Sequence, residues 1–317
     1  MKKYYPEGIL TESQENEDII NSAEKLEEAQ RNGQIVEAYA VVCDKDHNLI
    51  VDMPCMKGII PRIDGAAGIE DGSVRDIALI SRVSKPVCFK VSDIIKDKSG
   101  KPDYALLSRR AAQEECYQNY ISLLRPGDII DAKVTHIEKF GCFVDIGCGI
   151  PSLIPVDSIS VSRISDPADR FNIYQNIKAI VKTTEQTGRF PRINLTHKEL
   201  LGTWLENASV FHAGETVTGI IRSVENYGVF VELAPNLAGL AENRYNVHAG
   251  QTASVFIKAL IPDKMKVKLV IADATEREIK NRDIKYYISD NHIDYWRYST
   301  ENSNKVIETY FTDFTET

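Results

Sequence analysis

Three stretches of this chain open in the same way, and a chain that repeats itself at domain scale buries its apolar residues as a series of like units. GQIVEAYAVV starts at Gly33, GDIIDAKVTHI at Gly127 and GETVTGIIRSV at Gly214. Each alternates apolar and polar residues, the period of two that a half-buried strand imposes. Each then runs through a short turn into a second strand: HNLIVDM, FGCFVDI or YGVFVEL. The acidic residue of that strand, Asp52, Asp145 or Glu232, follows its opening glycine by 19, 18 and 18 residues. A third element begins GIIP at Gly58, GIPSLIP at Gly149 and GLAE at Gly239. A fourth reads VCFKV, AIVKT and VFIKA, with Lys90, Lys182 and Lys258, and a fifth reads YALLS, RINLT and KVKLV.

Five short strands per unit, separated by Gly, Pro, Asp and Asn turns, predict a small closed sheet, and five strands closing on themselves make the OB barrel. The expected fold is therefore all-β with linker helices: three tandem five-stranded OB-fold barrels at 31–110, 125–200 and 212–273. An acidic helical segment (1–30) precedes them, linker helices (111–124 and 201–211) separate them, and a tail (274–317) follows. Residues 13–32 put Ile19, Ala23 and Leu26 on one helical face, with Gly33 as the stop. Ser108 stands at the cap position of a helix over 108–124. Thr196 and Glu199 have the spacing of a capping box, in which each end satisfies the other's free backbone donor, for a helix over 196–208. Asp273 to Glu276 is the matching candidate for one more helix start. The tail stretch DNHIDYWRYSTENSNKVIETYFTDF reads either as a hairpin on the third barrel or as a partly mobile segment.

The key residues for binding are Phe140 and Phe143 in FGCF, and Tyr227 and Phe230 in YGVF. A separation of three, with a glycine between, brings both rings to an exposed barrel surface, where each stacks one base for roughly 1–3 kcal/mol. The competing expectation is that one ring of each pair fills the barrel core. Recurrence beside a glycine in two units favours the surface.

These motifs resemble a known family. The run GDIIDAKVTHIEKFGCFVDI, and GETVTGIIRSVENYGVFVEL after it, is similar to the RNA-binding domain of the ribosomal protein S-one (S1) family, the largest protein of the bacterial small ribosomal subunit. Two good copies cover 125–200 and 212–272, and a degenerate one covers about 31–110. The resemblance implies an OB fold that binds single-stranded RNA, with stacking aromatics at Phe140, Phe143, Tyr227 and Phe230. Its phosphate-contacting last-strand residue falls on Arg192 and Lys266, and Lys182 and Lys258 recur where they could line the same groove. The family's third-strand histidine is Pro155 in the second unit and Glu242 in the third, so modest affinity per barrel is expected, raised by linking two sites. In the first unit His47 and Ile50 replace the aromatics and Pro61 the histidine. That barrel is expected to bind RNA weakly or not at all and to serve as a docking module, for the small ribosomal subunit in an S1-like setting.

The formal net charge of −8 seems adverse to RNA until it is divided along the chain. Residues 1–30 carry 3 basic and 8 acidic side chains and the stretch from 274 carries 6 and 9, whereas 125–205 carries 10 and 9 and 209–273 carries 6 and 6. Near-neutral barrels point to aromatic stacking rather than a broad basic patch.

No apolar run approaches the ~18 residues of a membrane span, and the start MKKYYPEGIL has no signal-peptide core. Six scattered cysteines with no CxxC pair are expected as reduced thiols. The expectation is a cytoplasmic monomer with no membrane partner. His47, His136, His197, His212, His248 and His292 show no HExxH or metal spacing, and neither a phosphate loop nor GxGxxG occurs, so no metal, cofactor or catalytic site is expected. Gly65-Ala-Ala-Gly68 lies among strands and turns and reads as a loop. The binding mode is therefore expected to be non-catalytic, with mRNA as the RNA; a protein–protein adaptor or a regulator of RNA decay is the alternative.

Overall fold

The computed structural model describes residues 3–187, 190–243, 246–276 and 284–312. In chain order, α1 (Gln14–Ile20) and α2 (Ala23–Asn32) precede a first barrel of β1 (Ile35–Cys43), β2 (Leu49–Asp52), β3 (Lys57–Ile60), β4 (Lys85–Lys96) and β5 (Pro102–Ser108), with α3 (Ile77–Ile80) between β3 and β4. Helix α4 (Arg109–Asn119) leads to β6 (Ile129–Glu138), β7 (Gly141–Asp145), β8 (Pro151–Pro155), β9 (Asn176–Thr187) and β10 (Phe190–Thr196). Helix α5 (Trp204–Ala208) leads to β11 (Thr216–Glu225), β12 (Gly228–Ala234), β13 (Leu237–Ala241), β14 (Thr252–Ile261) and β15 (Lys266–Thr275).

Each set of five closes into a barrel in the same order, first-second-third-fifth-fourth, with the first strand paired to the fourth. The third and fifth strands run parallel and the other pairs antiparallel. The expected three OB barrels are thus the fold. The period-two pattern explains why they close: on β1, Val36, Ala38 and Ala40 point inward and are buried, and Val229 and Val231 do the same on β12. Three separate apolar cores result.

The repeat is truer in register than in spelling. Val51 pairs with Gly58 and Val231 with Gly239, but Val144 pairs with Ser152. A Cβ at Gly58 would come 2.5 Å from the Leu107 side chain, and one at Gly239 equally close to Leu269. Ser152 meets the same constraint in the second barrel by donating its hydroxyl to the Ile193 carbonyl at 2.7 Å. Gly149, the glycine that seemed to recur, lies instead in the β7–β8 turn at φ +74°.

Several helix boundaries differ from expectation. Residues 13–32 form two helices, because Ser13 accepts from the Asn16 N–H and Ser22 from the Lys25 N–H, which restarts the helix after Asn21. Gly33, left-handed at φ +59°, ends the second as expected. Ser108 caps α4 through the Ala111 N–H, also as expected. Thr196, by contrast, caps nothing: it ends β10, paired with Ile180, and its hydroxyl lies 2.6 Å from the Glu199 carboxylate. The capping box forms seven residues later, where Thr203 and Glu206 each accept the other's backbone N–H, beyond the break at Gly202. Asp273, Ala274 and Thr275 extend β15 opposite Ser254, Ala253 and Thr252, since a ladder partner is available there.

The tail makes a hairpin of β16 (Tyr295–Arg297) and β17 (Glu308–Tyr310). Trp296 and Tyr298 join the third barrel's core, while Phe311 packs with Ile180 and Leu200 of the second, so the hairpin clamps both. Beside it His197 is buried between Phe171 and Tyr286, and burial pushes its imidazole down to about 4.

The recurring acidic residue of the second strand proves to be the joint between barrels. Glu232 is buried and receives Arg170, from the loop of the preceding barrel, through bonds of 2.6 and 2.9 Å. Arg222 donates to the same carboxylate at 2.7 Å and to Asp169 at 2.8 Å. One barrel earlier, Asp145 is buried and accepts the backbone N–H groups of Glu7, Gly147 and Gly149. Arg109 of α4 forks onto Glu7 there, and Glu37 accepts from the Gly8 and Thr11 N–H groups. Burial, then the Glu7 charge, pushes the Asp145 carboxyl up; burial pushes Glu37 up to about 7. Asp52, the first barrel's counterpart, is exposed.

The six cysteines are free thiols, four of them buried. Among the described residues no helix is long and apolar enough to cross a membrane.

Candidate nucleic-acid interface

The two aromatic pairs occupy the same place on the second and third barrels. Phe140 and Tyr227 lie in the turn before the second strand, 57% and 70% exposed, which removes them from any core role. Phe143 and Phe230 lie on that strand, half-buried on its outer face. In each pair the rings meet edge to face, at 6.0 Å and 90° in one and 6.1 Å and 87° in the other. The expectation that one ring of each pair fills the core does not hold. The outer ring of each pair stays mostly exposed beside its edge-to-face partner, as a stacking base requires.

The glycine between the rings has a steric reason. A Cβ at Gly141 would stand 2.6 Å from the Ile154 carbonyl, and one at Gly228 2.6 Å from the Ala241 carbonyl. Only glycine lets the neighbouring strand come this close, and that approach brings the turn ring over the strand ring.

The ladder register extends each platform into a row across the sheet. In the second barrel Phe143 pairs with Leu153, Leu153 with Asn194 and Asn194 with Thr183. In the third, Phe230 pairs with Leu240, Leu240 with Lys268 and Lys268 with Ala259. Partners in register project to the same side, so these residues form one outer strip. Asn194 donates to Thr183 at 3.0 Å and to Glu185 at 2.8 Å, whereas Lys268 is exposed.

Arg192 and Lys266 lie two residues before this row on the same outer face, both exposed, with Glu185 and Ile261 opposite them. Lys182 and Lys258 occupy a bulge in the fourth strand, the extra residue between Val181 and Thr183 and between Ile257 and Ala259. All four cations therefore rim the strips that carry the rings. Lys90, which looked equivalent, is not: the first barrel's bulge residue is Ser92, and Lys90 bonds Glu115 at 2.6 Å.

Sequence reasoning missed Lys268, Asn194, Leu153 and Leu240. The signal was present, since Lys268 follows Lys266 at the strand period of two, but the parallel pairing that aligns it with Phe230 joins residues far apart in the chain. Pro155 stands across from Gly141, and Glu242 is exposed just beyond β13, so neither supplies an aromatic or cationic partner.

The first barrel presents a different row: Ile50 pairs with Ile59, Ile59 with Leu106 and Leu106 with Asp93. His47, in the position of Phe140 and Tyr227, sits at φ +62° and faces Asp76 at 3.9 Å.

Residues 123–198 match the S1 RNA binding domain. The chain is similar to the small ribosomal subunit protein bS1 of Staphylococcus aureus (strain COL), with 30% identity over 221 residues, covering 68% of this chain and 52% of that one. It is also similar to bS1 of Staphylococcus haemolyticus (strain JCSC1435), with 27% identity over 288 residues, 86% of this chain and 69% of that one. The chain thus spans about half the length of the first of these relatives. Among solved structures, a multidomain protein with nucleic acid binding domains from Streptococcus pneumoniae aligns with 78% of this chain and 76% of that one, at 11% identity and a TM-score of 0.24. The resemblance to the ribosomal protein S1 family read from the two glycine–aromatic motifs is therefore a sequence relationship that extends over most of the chain.

Proposed function

We propose that this chain of three S1-type barrels binds single-stranded RNA across its second and third barrels, without catalysis. The observation that carries the reading is the recurrence of one geometry: two exposed rings at the same ladder position, edge to face at 6.0 and 6.1 Å, in two barrels. Bases stack on Phe140, Phe143, Tyr227 and Phe230, while Arg192, Lys266, Lys182 and Lys258, together with Lys268, neutralise phosphates. Stacking reads no base edge, so sequence preference is slight. Each barrel binds modestly, and the Arg170–Glu232 joint holds the two platforms in a fixed relation that raises the effective concentration of the second for an RNA held by the first.

The similarity to bS1 supports reading this activity as part of translation, with mRNA as the RNA, the small ribosomal subunit as the assembly partner and the cytoplasm as the setting. The first barrel, with His47 and Ile50 where the rings would be, provides the docking side, and the chain acts as a monomer.

The test is fluorescence anisotropy with a labelled, unstructured RNA of about a dozen nucleotides. Phe143→Ala/Phe230→Ala, folded by circular dichroism, is expected to lose roughly 30-fold or more, since each ring removes at least about 1 kcal/mol of stacking. Equal binding by parent and variant overturns the reading and favours a protein adaptor.

A further inference from the structure

A cleft beside the Tyr227–Phe230 pair lies at the joint between the second and third barrels and takes its walls from both. It measures about 650 Å³, within the roughly 300–1,000 Å³ of ligand clefts. Tyr227 and Phe230 line it, as do residues 162–165 from the loop between β8 and β9 of the preceding barrel.

That loop is fixed to the third barrel. The Val161 N–H donates to the Asn236 side chain at 2.8 Å, and Ser160 donates its hydroxyl to the Ser162 carbonyl at 2.7 Å. Arg170, bonded to Glu232, reaches Ser160 as well. Ser162 and Ile164 are buried, and between them Arg163 is exposed at the cleft. Arg222 also lines the cleft, but Glu232 and Asp169 already hold its guanidinium. Among the described residues, Arg163 is the cleft cation that no carboxylate holds. Ser165 and Ser223 add hydroxyl donors, and Glu225 makes the far rim unfavourable to an anion.

We infer that this composite cleft is a nucleotide subsite, in which Arg163 of the second barrel binds the phosphate of the nucleotide next to the base stacked on Tyr227 and Phe230. The inference rests on the RNA-binding reading above and deepens it: the third barrel's site is incomplete without its neighbour. A planar guanidinium suits a phosphate, which it can grip through two parallel bonds. The pinned loop fixes the backbone from which Arg163 projects, so on binding only its side chain has to be ordered. The cleft at the other joint, about 440 Å³, is lined by Glu7, Glu12 and Asp145 as well as Arg82, Lys85 and Lys133, and neither Phe140 nor Phe143 reaches it. Among the described residues, the subsite therefore belongs to the joint that carries Tyr227 and Phe230.

The experiment is a double-mutant cycle on the full chain, read by anisotropy with a labelled oligouridylate of about a dozen nucleotides over a salt series. Arg163→Ala is expected to bind about three- to tenfold more weakly and to lower the slope of log affinity against log salt by about one ion. Arg163→Lys should recover the slope but only part of the affinity. In a Tyr227→Ala/Phe230→Ala background, Arg163→Ala should change little, because the RNA no longer lies beside the cleft. The inference is overturned if the parent binds and the ring variant loses binding while Arg163→Ala changes neither affinity nor slope. It is also overturned if the Arg163 loss is the same with and without the rings, which would mark a general charge effect. A parent that binds no RNA overturns this inference and the RNA-binding reading together.

Discussion

The first barrel and the later two share every feature that closes a barrel and almost none that would engage a nucleic acid. Strand order, the parallel third–fifth pairing and the fourth-strand bulge are common to all three. On the outer strip, Ile50, Ile59, Leu106 and Asp93 replace Phe143, Leu153, Asn194 and Thr183, or Phe230, Leu240, Lys268 and Ala259. The inward residues answer to packing and the outward ones do not, so the scaffold persists while its surface changes role. The acidic residue of the second strand shows the same freedom in another form: Asp145 and Glu232 join barrels, and Asp52 faces solvent.

The largest effects are therefore expected at the joints. Glu232→Ala leaves the almost wholly buried Arg170 without a carboxylate and Arg222 with Asp169 alone, and is expected to cost about 3–5 kcal/mol in chemical denaturation. Asp52→Ala should stay within about 0.5 kcal/mol. Equal costs would erase the distinction between the three positions. The first joint should also respond to pH. Glu37 is raised to about 7, by burial above all, and shares its surroundings with Glu7, Asp145, Asn16 and the arginine that forks onto Glu7. A raised carboxyl binds its proton more tightly folded than unfolded, so its stabilisation is full below about 4.5 and is lost as pH rises through about 7. For Glu37 this is on the order of 3 kcal/mol. Melts between pH 5 and 8 should show stability falling as pH rises, with a shallower fall in Glu37→Gln; an unchanged profile in that variant would assign the dependence elsewhere.

On the binding surface the contrast is between rings and their replacements. Phe143→Ala and Phe230→Ala, taken singly, should each weaken RNA binding by roughly fivefold or more. His47→Ala/Ile50→Ala should change it by less than about twofold. If the first-barrel variant weakens binding as much, the RNA path includes that barrel and the division of labour fails.

How much of this was legible in the sequence follows from the range of each interaction. The alternation of β1, β6 and β11 is local, so the three barrels of five strands could be read directly. The aromatic pairs were legible because both rings and the intervening glycine lie within four residues, although the glycine's role as the gap for a neighbouring carbonyl appears only with β8 and β13 in place. Glu232 was visible as a recurring acid, yet its partner Arg170 lies 62 residues away and nothing local announces it. Lys90 misled because VCFKV is spelled like AIVKT and VFIKA, while the bulge that marks the equivalent position falls two residues later, at Ser92. Thr196 misled because capping-box spacing says nothing about whether a strand already holds the residue. Arg163 lay in a loop with no repeat to mark it.

The smallest expected effect separates the two binding barrels from each other. At the fifth-strand position beside the ring row the second barrel has Asn194, committed to Thr183 and Glu185, and the third has Lys268. A neutral amide held by neighbours contributes no counterion release when RNA binds, whereas a lysine contributes about one. Lys268→Ala should lower the salt slope by about one ion and weaken binding about three- to fivefold near physiological salt. Asn194→Ala should leave the slope alone and act only through the hydrogen bonds it frees. Anisotropy titrations of both variants over the same salt series make the comparison. A slope lowered equally in both, or in neither, would mean that the strip beside Phe230 is no more electrostatic than the one beside Phe143.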